Sequence, residues 1–466
     1  MQTVFLASVA IAAAAAAAAA NAEPANPVDN SAFETDVSHY QFDDSEYNYC
    51  DPGYPSASSY TAVPDATLEL VQAVVRHGDR TPIRLIADDS DTSWACSDVE
   101  ENIYLHARDE PARNTTGTVR QVIEIPKWNQ EYGFSNQAWQ GTCEAGQLTD
   151  HGKRQHNMLG TQLRSIYVDK LGYLPAKLNG TDEVYVRTTF VWRTKNSAES
   201  LLGGLWPGRG VGPEDSIPLH SYPQRIETMS ANTIACPRLL SLEDEISKTE
   251  GFQKFLREQG PLMSKLMEAF GVDGPEWTTG WDRYFDVLNA RTCHKQNLPC
   301  RRAQDTGKAT AECATPEDTR QVTRNSNYEW AYKYRDSPQS QNLTRLTIGS
   351  FAGTLREQIE GRIAGKTGNL KFALYSGHDT TVWPLLTVLG ASNRENLWPP
   401  YASNLIIELW RKHDNSRVVR VLFNGHVLQV KKGAEWCDLN ACPLDTFLSR
   451  ISRFIPTNIA AECTAP

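Results

Sequence analysis

Two stretches of this chain, Arg76-His77-Gly78-Asp79-Arg80-Thr81-Pro82 and Ser376-Gly377-His378-Asp379, gather arginine, histidine and aspartate at close spacing. A third, from Arg187 to Arg193, brings further guanidinium groups. Guanidinium is a permanently charged, planar fork of donors that matches the oxygens of a phosphate group. A neutral imidazole inside such a clamp is a nucleophile able to accept a phosphoryl group. Phosphoryl transfer asks mainly for positioning and for stabilised charge on the equatorial oxygens, which arginines supply. The departing alkoxide needs a proton, and Asp379 stands where a carboxyl could give it. This chemistry needs neither metal nor organic cofactor, and none is expected.

Elements far apart in sequence must bring these residues together. Leu68 to Val75 (LELVQAVV) is a Val-rich apolar run of strand length, fit for a buried strand. Asp182 to Arg187 (DEVYVR) alternates Val184 and Val186, and Leu370 to Tyr375 (LKFALY) reads as a third strand. Leu405–Trp410 and Val418–Phe423 are further strand candidates. Each of the first three ends just before a candidate segment. Ligands gather beyond the carboxyl ends of parallel strands, so the three segments are expected to converge on one pocket.

Helices fill the intervals. Thr149 offers an N-cap to one carrying Leu159, Leu163, Ile166 and Tyr167, and another runs around Leu343 to Ile363. Ser241 reads as the cap of a segment holding Ile246, Phe252 and Phe255, and Pro261 as the start of the next. The expected fold is α/β, a central, mostly parallel sheet flanked by helices, with an inserted, mainly helical cap domain. The divisions are a leader over 1–22, an irregular arm over 23–66, and a first body segment over 67–208 with a long irregular insertion at 84–146. The cap then covers 209–349 and the second body segment 350–466.

Arg76-His77-Gly78-Asp79-Arg80-Thr81-Pro82 resembles the R-H-G-x-R-x-P signature of the histidine acid phosphatase family, and Tyr375-Ser376-Gly377-His378-Asp379-Thr380-Thr381 resembles its second motif. Gly146-Gln147-Leu148-Thr149 before a helix, and Val184 to Thr194, are lesser likenesses in matching order. The resemblance implies a phosphoglycerate-mutase-like body and a phosphoric monoester hydrolase acting on small-molecule phosphate monoesters at acidic pH. It implies His77 as the nucleophile that becomes phosphohistidine, and Arg76, Arg80, Arg193 and His378 as phosphate ligands. Asp379 would be the proton donor and would later assist the attacking water.

Arg-Thr-Pro-Ile and His-Asp-Thr-Thr lean toward the prostatic-type and phosphoxylose-phosphatase-type branch. A phytase or sugar-phosphate phosphatase of the same superfamily is the alternative. A non-catalytic secreted factor on this scaffold is the alternative from another class, and the intact set Arg76, His77, Arg80, His378 and Asp379 argues against it. Phe190 and Trp192 stand where some members carry acidic residues. Arg187 is the alternative to Arg193 in the clamp but reads rather as a structural ion pair at its strand end, and Asp79 as a residue that orients its neighbours.

A chain of 466 residues, 40% hydrophobic and 22% charged, can bury one or two substantial cores, which excludes a disordered or fibrous protein. A net charge of −10 excludes a nucleic-acid partner bound through a general basic field. No charge precedes Glu23, the run Val4 to Ala20 is apolar, and Ala20-Asn21-Ala22 offers a small-x-small site. A secretory signal cleaved after Ala22 is expected, with no membrane association afterwards. Sequons at Asn114, Asn179 and Asn342 fit an N-glycosylated extracellular protein.

Ten cysteines then read as disulfides, with Cys293–Cys300 and Cys437–Cys442 spaced like short loops. Zinc is disfavoured because neither C-x2-C nor H-E-x-x-H occurs. The remaining histidines, His39, His106, His151, His156, His220, His294, His413 and His426, read as surface or packing residues. Oligomeric state is open, a homodimer included.

Overall fold

The computed structural model describes residues 47–86, 92–96, 100–104, 117–121, 140–178, 181–208, 217–301, 311–392, 396–431 and 435–464. The main sheet is built from β1 (Ala66–Arg76), β2 (Val184–Thr188), β3 (Leu219–Ser221), β4 (Phe372–Gly377), β5 (Asn404–Lys412), β6 (Arg417–Phe423), β7 (His426–Val427) and β8 (Cys442–Pro443). Its order is β7-β6-β5-β1-β4-β2-β3, with β8 also on β6. β1, β4, β2 and β3 are mutually parallel, whereas β5 to β8 pair antiparallel. The sheet is therefore mixed, and the half that carries the candidate segments is the parallel one.

Along the chain run α1 (Asp150–Arg164), α2 (Trp192–Leu205), α3 (Arg238–Ser247), α4 (Glu250–Phe270), α5 (Asp282–Cys293), α6 (Pro316–Ala331), α7 (Ser340–Ile363), α8 (Asp379–Val388), α9 (Leu444–Ser452) and α10 (Ile459–Thr464). β1 reads as a continuous apolar run because helices cover both sheet faces. Val71, Ala73 and Val75 pack with Leu159 and Leu163 of α1 and Leu201 and Leu205 of α2. Leu70 and Val74 join the opposite core with Phe351 and Leu355 of α7, Leu385 of α8 and Phe447 of α9. The described residues from Tyr47 onward belong to one compact unit, and the stretch holding α3 to α6 is not set apart as a second.

Two helix boundaries differ from expectation. Ser241 lies inside α3, whose N-cap is Pro237, and Pro261 lies inside α4. The apolar stripe Phe252, Phe255, Met263, Leu266 and Phe270 continues across Pro261 and is buried on both sides of it, so the helix survives the missing N–H bond. Thr149 does cap α1, accepting from Gly152 N.

All ten cysteines are paired, as Cys50–Cys293, Cys96–Cys143, Cys236–Cys463, Cys300–Cys313 and Cys437–Cys442. The expected Cys293–Cys300 loop does not form. Cys300 stands opposite Cys313 across a short antiparallel pair, while Cys293 ends α5 and turns to Cys50 in the arm. Within 84–146, residues 93–94 pair with 140–141 and 100–104 with 117–121. The leader, the arm up to residue 46, and the sequons at Asn114 and Asn179 lie outside the described residues. Asn342 is exposed near the start of α7.

Candidate active site

Strand register creates the site. Arg76 stands opposite Gly377 and Tyr375 opposite Arg187, so the three segments leave the sheet at the same carboxyl end of its parallel strands. His77 N–H donates to the Gly377 carbonyl at 2.9 Å, and the rings of His77 and His378 are 5.6 Å apart. His77 Nδ1 lies 2.9 Å from the Gly78 carbonyl oxygen. A carbonyl can only accept, so Nδ1 carries the proton and Nε2 keeps its lone pair. Burial, followed by the charges of Arg193, Arg76 and Arg80, pushes this imidazole well below its usual pKa. It therefore stays neutral in mild acid.

The loop after His77 is pinned from below. Gly78 and Gly152 of α1 press together with no room for a Cβ on either. Gly78 N donates to Ser197 Oγ on α2 at 3.1 Å, and Asp79 N to Gln155 Oε1 at 2.8 Å. The Asp79 carboxylate is buried, accepts from the Thr149 hydroxyl, and lies 2.7 Å from His294 Nε2 at the end of α5. Asp79 holds the loop.

The arginines are held individually. Arg80 Nη1 donates to Asp286 Oδ1 of α5 at 2.7 Å, and Asp286 Oδ2 accepts from Ile83 N at 2.7 Å. Arg76 is fully buried, with Nη1 donating to the Pro399 carbonyl at 2.5 Å and Nη2 to Tyr49 Oη at 2.9 Å. Arg193 sits in the first turn of α2, and its Nη1 is 3.5 Å from where a Cβ on Gly146 would lie. Burial, then Arg80, pushes its pKa down to about 10. The Nε atoms of Arg76, Arg80 and Arg193 are buried and bond to no protein atom. Arg187 is committed elsewhere, to Glu227 Oε1 at 2.6 Å and Thr228 Oγ1 at 3.0 Å, with its plane over Tyr222.

His378 Nε2 lies 2.9 Å from Thr189 Oγ1, itself 2.9 Å from Thr194 Oγ1. Burial and then Arg193 push the His378 pKa to about 3. Asp379 opens α8, its Oδ1 accepting from Thr380 N at 2.8 Å. Its Oδ2 accepts from Trp398 Nε1 at 3.1 Å and pairs with Arg76 Nη2 at 2.9 Å. Burial alone would raise its pKa, but Arg76 and Arg80 outweigh that and hold it below the usual carboxylate value. Three guanidinium groups, two neutral imidazoles and one carboxylate are thus gathered at one end of the sheet, an arrangement suited to a tetrahedral oxyanion.

The profile of the histidine phosphatase superfamily (branch 2) matches residues 67–424. The chain belongs to this family. It is 28% identical over 421 residues to counting factor 60 of Dictyostelium discoideum, covering 89% of this chain and 92% of that one. Human lysophosphatidic acid phosphatase type 6 is 27% identical, with 85% of this chain and 86% of that one covered. Bovine lysosomal acid phosphatase is 26% identical, with 85% and 80% covered. Among solved structures, apo Hafnia alvei phytase aligns with a TM-score of 0.53 at 15% identity, over 87% of this chain and 100% of that one, a likeness of fold. This histidine phosphatase is a phosphoric monoester hydrolase.

Six residues at the site of this histidine phosphatase escaped sequence reasoning as site residues: Tyr49, Thr189, Asp286, His294, Trp398 and Tyr401, the last with its ring 4.6 Å from the Arg76 guanidinium. Only Thr189 had a local signal, its place in the segment leading to Arg193. Asp286 belongs to an ordinary helical pattern and His294 to none. Among the described residues, no group of three or more His, Cys, Asp or Glu side chains is placed to hold a metal ion.

Proposed function

We propose that this histidine phosphatase hydrolyses phosphate monoesters in acid through a phosphohistidine on His77, with Asp379 as proton donor. The observation that carries this reading is His77 Nε2, left with a lone pair by the Gly78 carbonyl and set among Arg76, Arg80 and Arg193. Nε2 attacks phosphorus, the ester P–O bond breaks, and the leaving oxygen takes the proton of Asp379. Water then gives a proton to the Asp379 carboxylate and attacks phosphorus. The P–N bond breaks and inorganic phosphate leaves. Arginines that lower the Asp379 pKa in the free protein are offset by the negative charge of a bound ester, which restores the acid form. Low pH helps the same step, and the depressed His77 pKa keeps the nucleophile available there.

The rim favours an ester with an apolar leaving group. Ile83 is 48% exposed and Phe190 58% exposed. A Cβ on Gly146 would lie 3.6 Å from Ile83 Cγ1 and 3.5 Å from Arg193 Nη1, and Lys195 Nζ stands 5.4 Å from the Phe190 ring centre. Lysophosphatidates, for which the human relative is named, combine such an apolar chain with one phosphate. Phytate, a polyanion, would want a cation where Ile83 stands. Five disulfides support a secretory-pathway protein, and no described helix is long and apolar enough to cross a membrane. A purely non-catalytic factor has no need of this clamp.

Hydrolysis of p-nitrophenyl phosphate, a lysophosphatidate and phytate at about pH 5 tests the reading. The first two should turn over faster than phytate. Asp379→Ala should slow the lysophosphatidate about 100-fold or more and p-nitrophenyl phosphate under about tenfold, since only the alkoxide needs a proton. Equal losses on both would reject Asp379 as the acid.

A further inference from the structure

The strap from Tyr47 to Asp51 belongs to neither motif, yet it reaches the proton donor by two routes. Tyr49 is buried, and its hydroxyl accepts from Arg76 Nη2 at 2.9 Å. The same nitrogen stands 2.9 Å from Asp379 Oδ2. The Tyr49 ring meets Phe285 edge-on at 4.8 Å and Tyr401 at 4.7 Å, and its carbonyl accepts from Tyr401 N at 3.1 Å. By the second route, Tyr47 Oη donates to the Trp398 carbonyl at 2.8 Å, and Trp398 Nε1 donates to Asp379 Oδ2 at 3.1 Å. Two anchors hold the strap. Cys50 is bonded to Cys293 at the end of α5, and Asp51 accepts from Gln155 Nε2 at 2.8 Å.

We propose that Tyr49 is a positioning residue that sets the proton affinity of Asp379 by dividing the donors of Arg76 between itself and the carboxylate. The inference rests on Asp379 being the acid, as argued above. The Nη2 of Arg76 carries two hydrogens, and the two acceptors within reach of it are Tyr49 Oη and Asp379 Oδ2. Nη1 is drawn away to the Pro399 carbonyl. The guanidinium is thereby kept from clasping Asp379 with both arms, the geometry that would bind its charged form most strongly.

The other groups facing Asp379 are Arg80, Arg193, His378 and Tyr334, together with the Thr380 N–H. Of these the arginines, His378 and the Thr380 N–H favour the carboxylate. Burial raises the phenol of Tyr49, so it stays neutral and acts as an acceptor. Its loss would release a buried Arg76 N–H toward Asp379 and hold the acid ionised at lower pH.

Tyr49→Phe keeps the ring and its packing and removes the acceptor. At about pH 5, kcat for an alkyl phosphate should fall about tenfold and for p-nitrophenyl phosphate less than about twofold, with the alkyl optimum about one pH unit lower. Equal losses with an unmoved profile would overturn the proposal, because a merely structural role gives that result. Carboxyl-13C NMR, with the Asp379 signal assigned by its absence in Asp379→Asn, reads the same equilibrium without turnover. Its midpoint should fall in Tyr49→Phe, and an unchanged midpoint overturns the proposal whether or not any ester is cleaved. A lowered midpoint in a protein that cleaves no ester would keep the strap and remove the phosphatase reading.

Discussion

Single side chains divide here by what their ring nitrogens face. His156 points Nε2 at the Arg76 carbonyl, 3.0 Å away, so that nitrogen carries the proton, and its Nδ1 is buried without a partner. Protonation would strand a charge there, and burial accordingly holds the pKa at about 4. A folded pKa below the unfolded value of about 6.5 means that the unfolded chain takes up the proton first. The contribution of His156 is therefore complete above about pH 6.5 and is lost as pH falls toward 4. By pH 5 the loss is on the order of 2 kcal/mol. The melting temperature of the ligand-free protein should drop between pH 7 and pH 5, and drop less in His156→Gln, which keeps a donor for Arg76. Identical pH dependence in both proteins would refute this. That His77 and Asp379 would come together was legible in the sequence, because the first follows β1 and the second opens the helix just after β4. The tautomer of His77 was not, since it depends on the position of one carbonyl.

Elements were legible where burial imposes a period. β1, β2 and β4 carry apolar residues on both faces, and α1 announces itself through Thr149. The antiparallel half of the sheet and the continuity of α4 through Pro261 depend on what packs against them, which a local pattern does not contain. The same holds for α5, whose Asp286 reaches Arg80 across more than two hundred residues of chain. Removing that carboxylate leaves Arg80 without its charged partner and Ile83 N without an acceptor. Asp286→Ala should raise KM for phosphate esters and Ki for inorganic phosphate together by about tenfold. Unchanged constants in steady-state assays would show that α5 does not position Arg80.

Across the whole molecule, the site is assembled from the arm, two motifs at the carboxyl ends of parallel strands and a helix between them, joined covalently by Cys50–Cys293. That pairing was unreadable from spacing. Cys293 lies seven residues before Cys300 yet bonds across a separation of 243, because α5 delivers it beside the arm. Closing so long a loop constrains the unfolded chain by about 5 kcal/mol in the chain-entropy treatment, so the bond fastens the arm and stabilises the body together. Such a scaffold serves covalent catalysis only if phosphorus passes through His77. Brief reaction with a 32P-labelled ester, quenched in alkali and mapped by peptide, tests this directly. The label should reside on His77, resist base, fall off in acid, and be absent from His77→Ala, which should also lose turnover. Label on another residue, or full turnover by His77→Ala, would contradict the assignment.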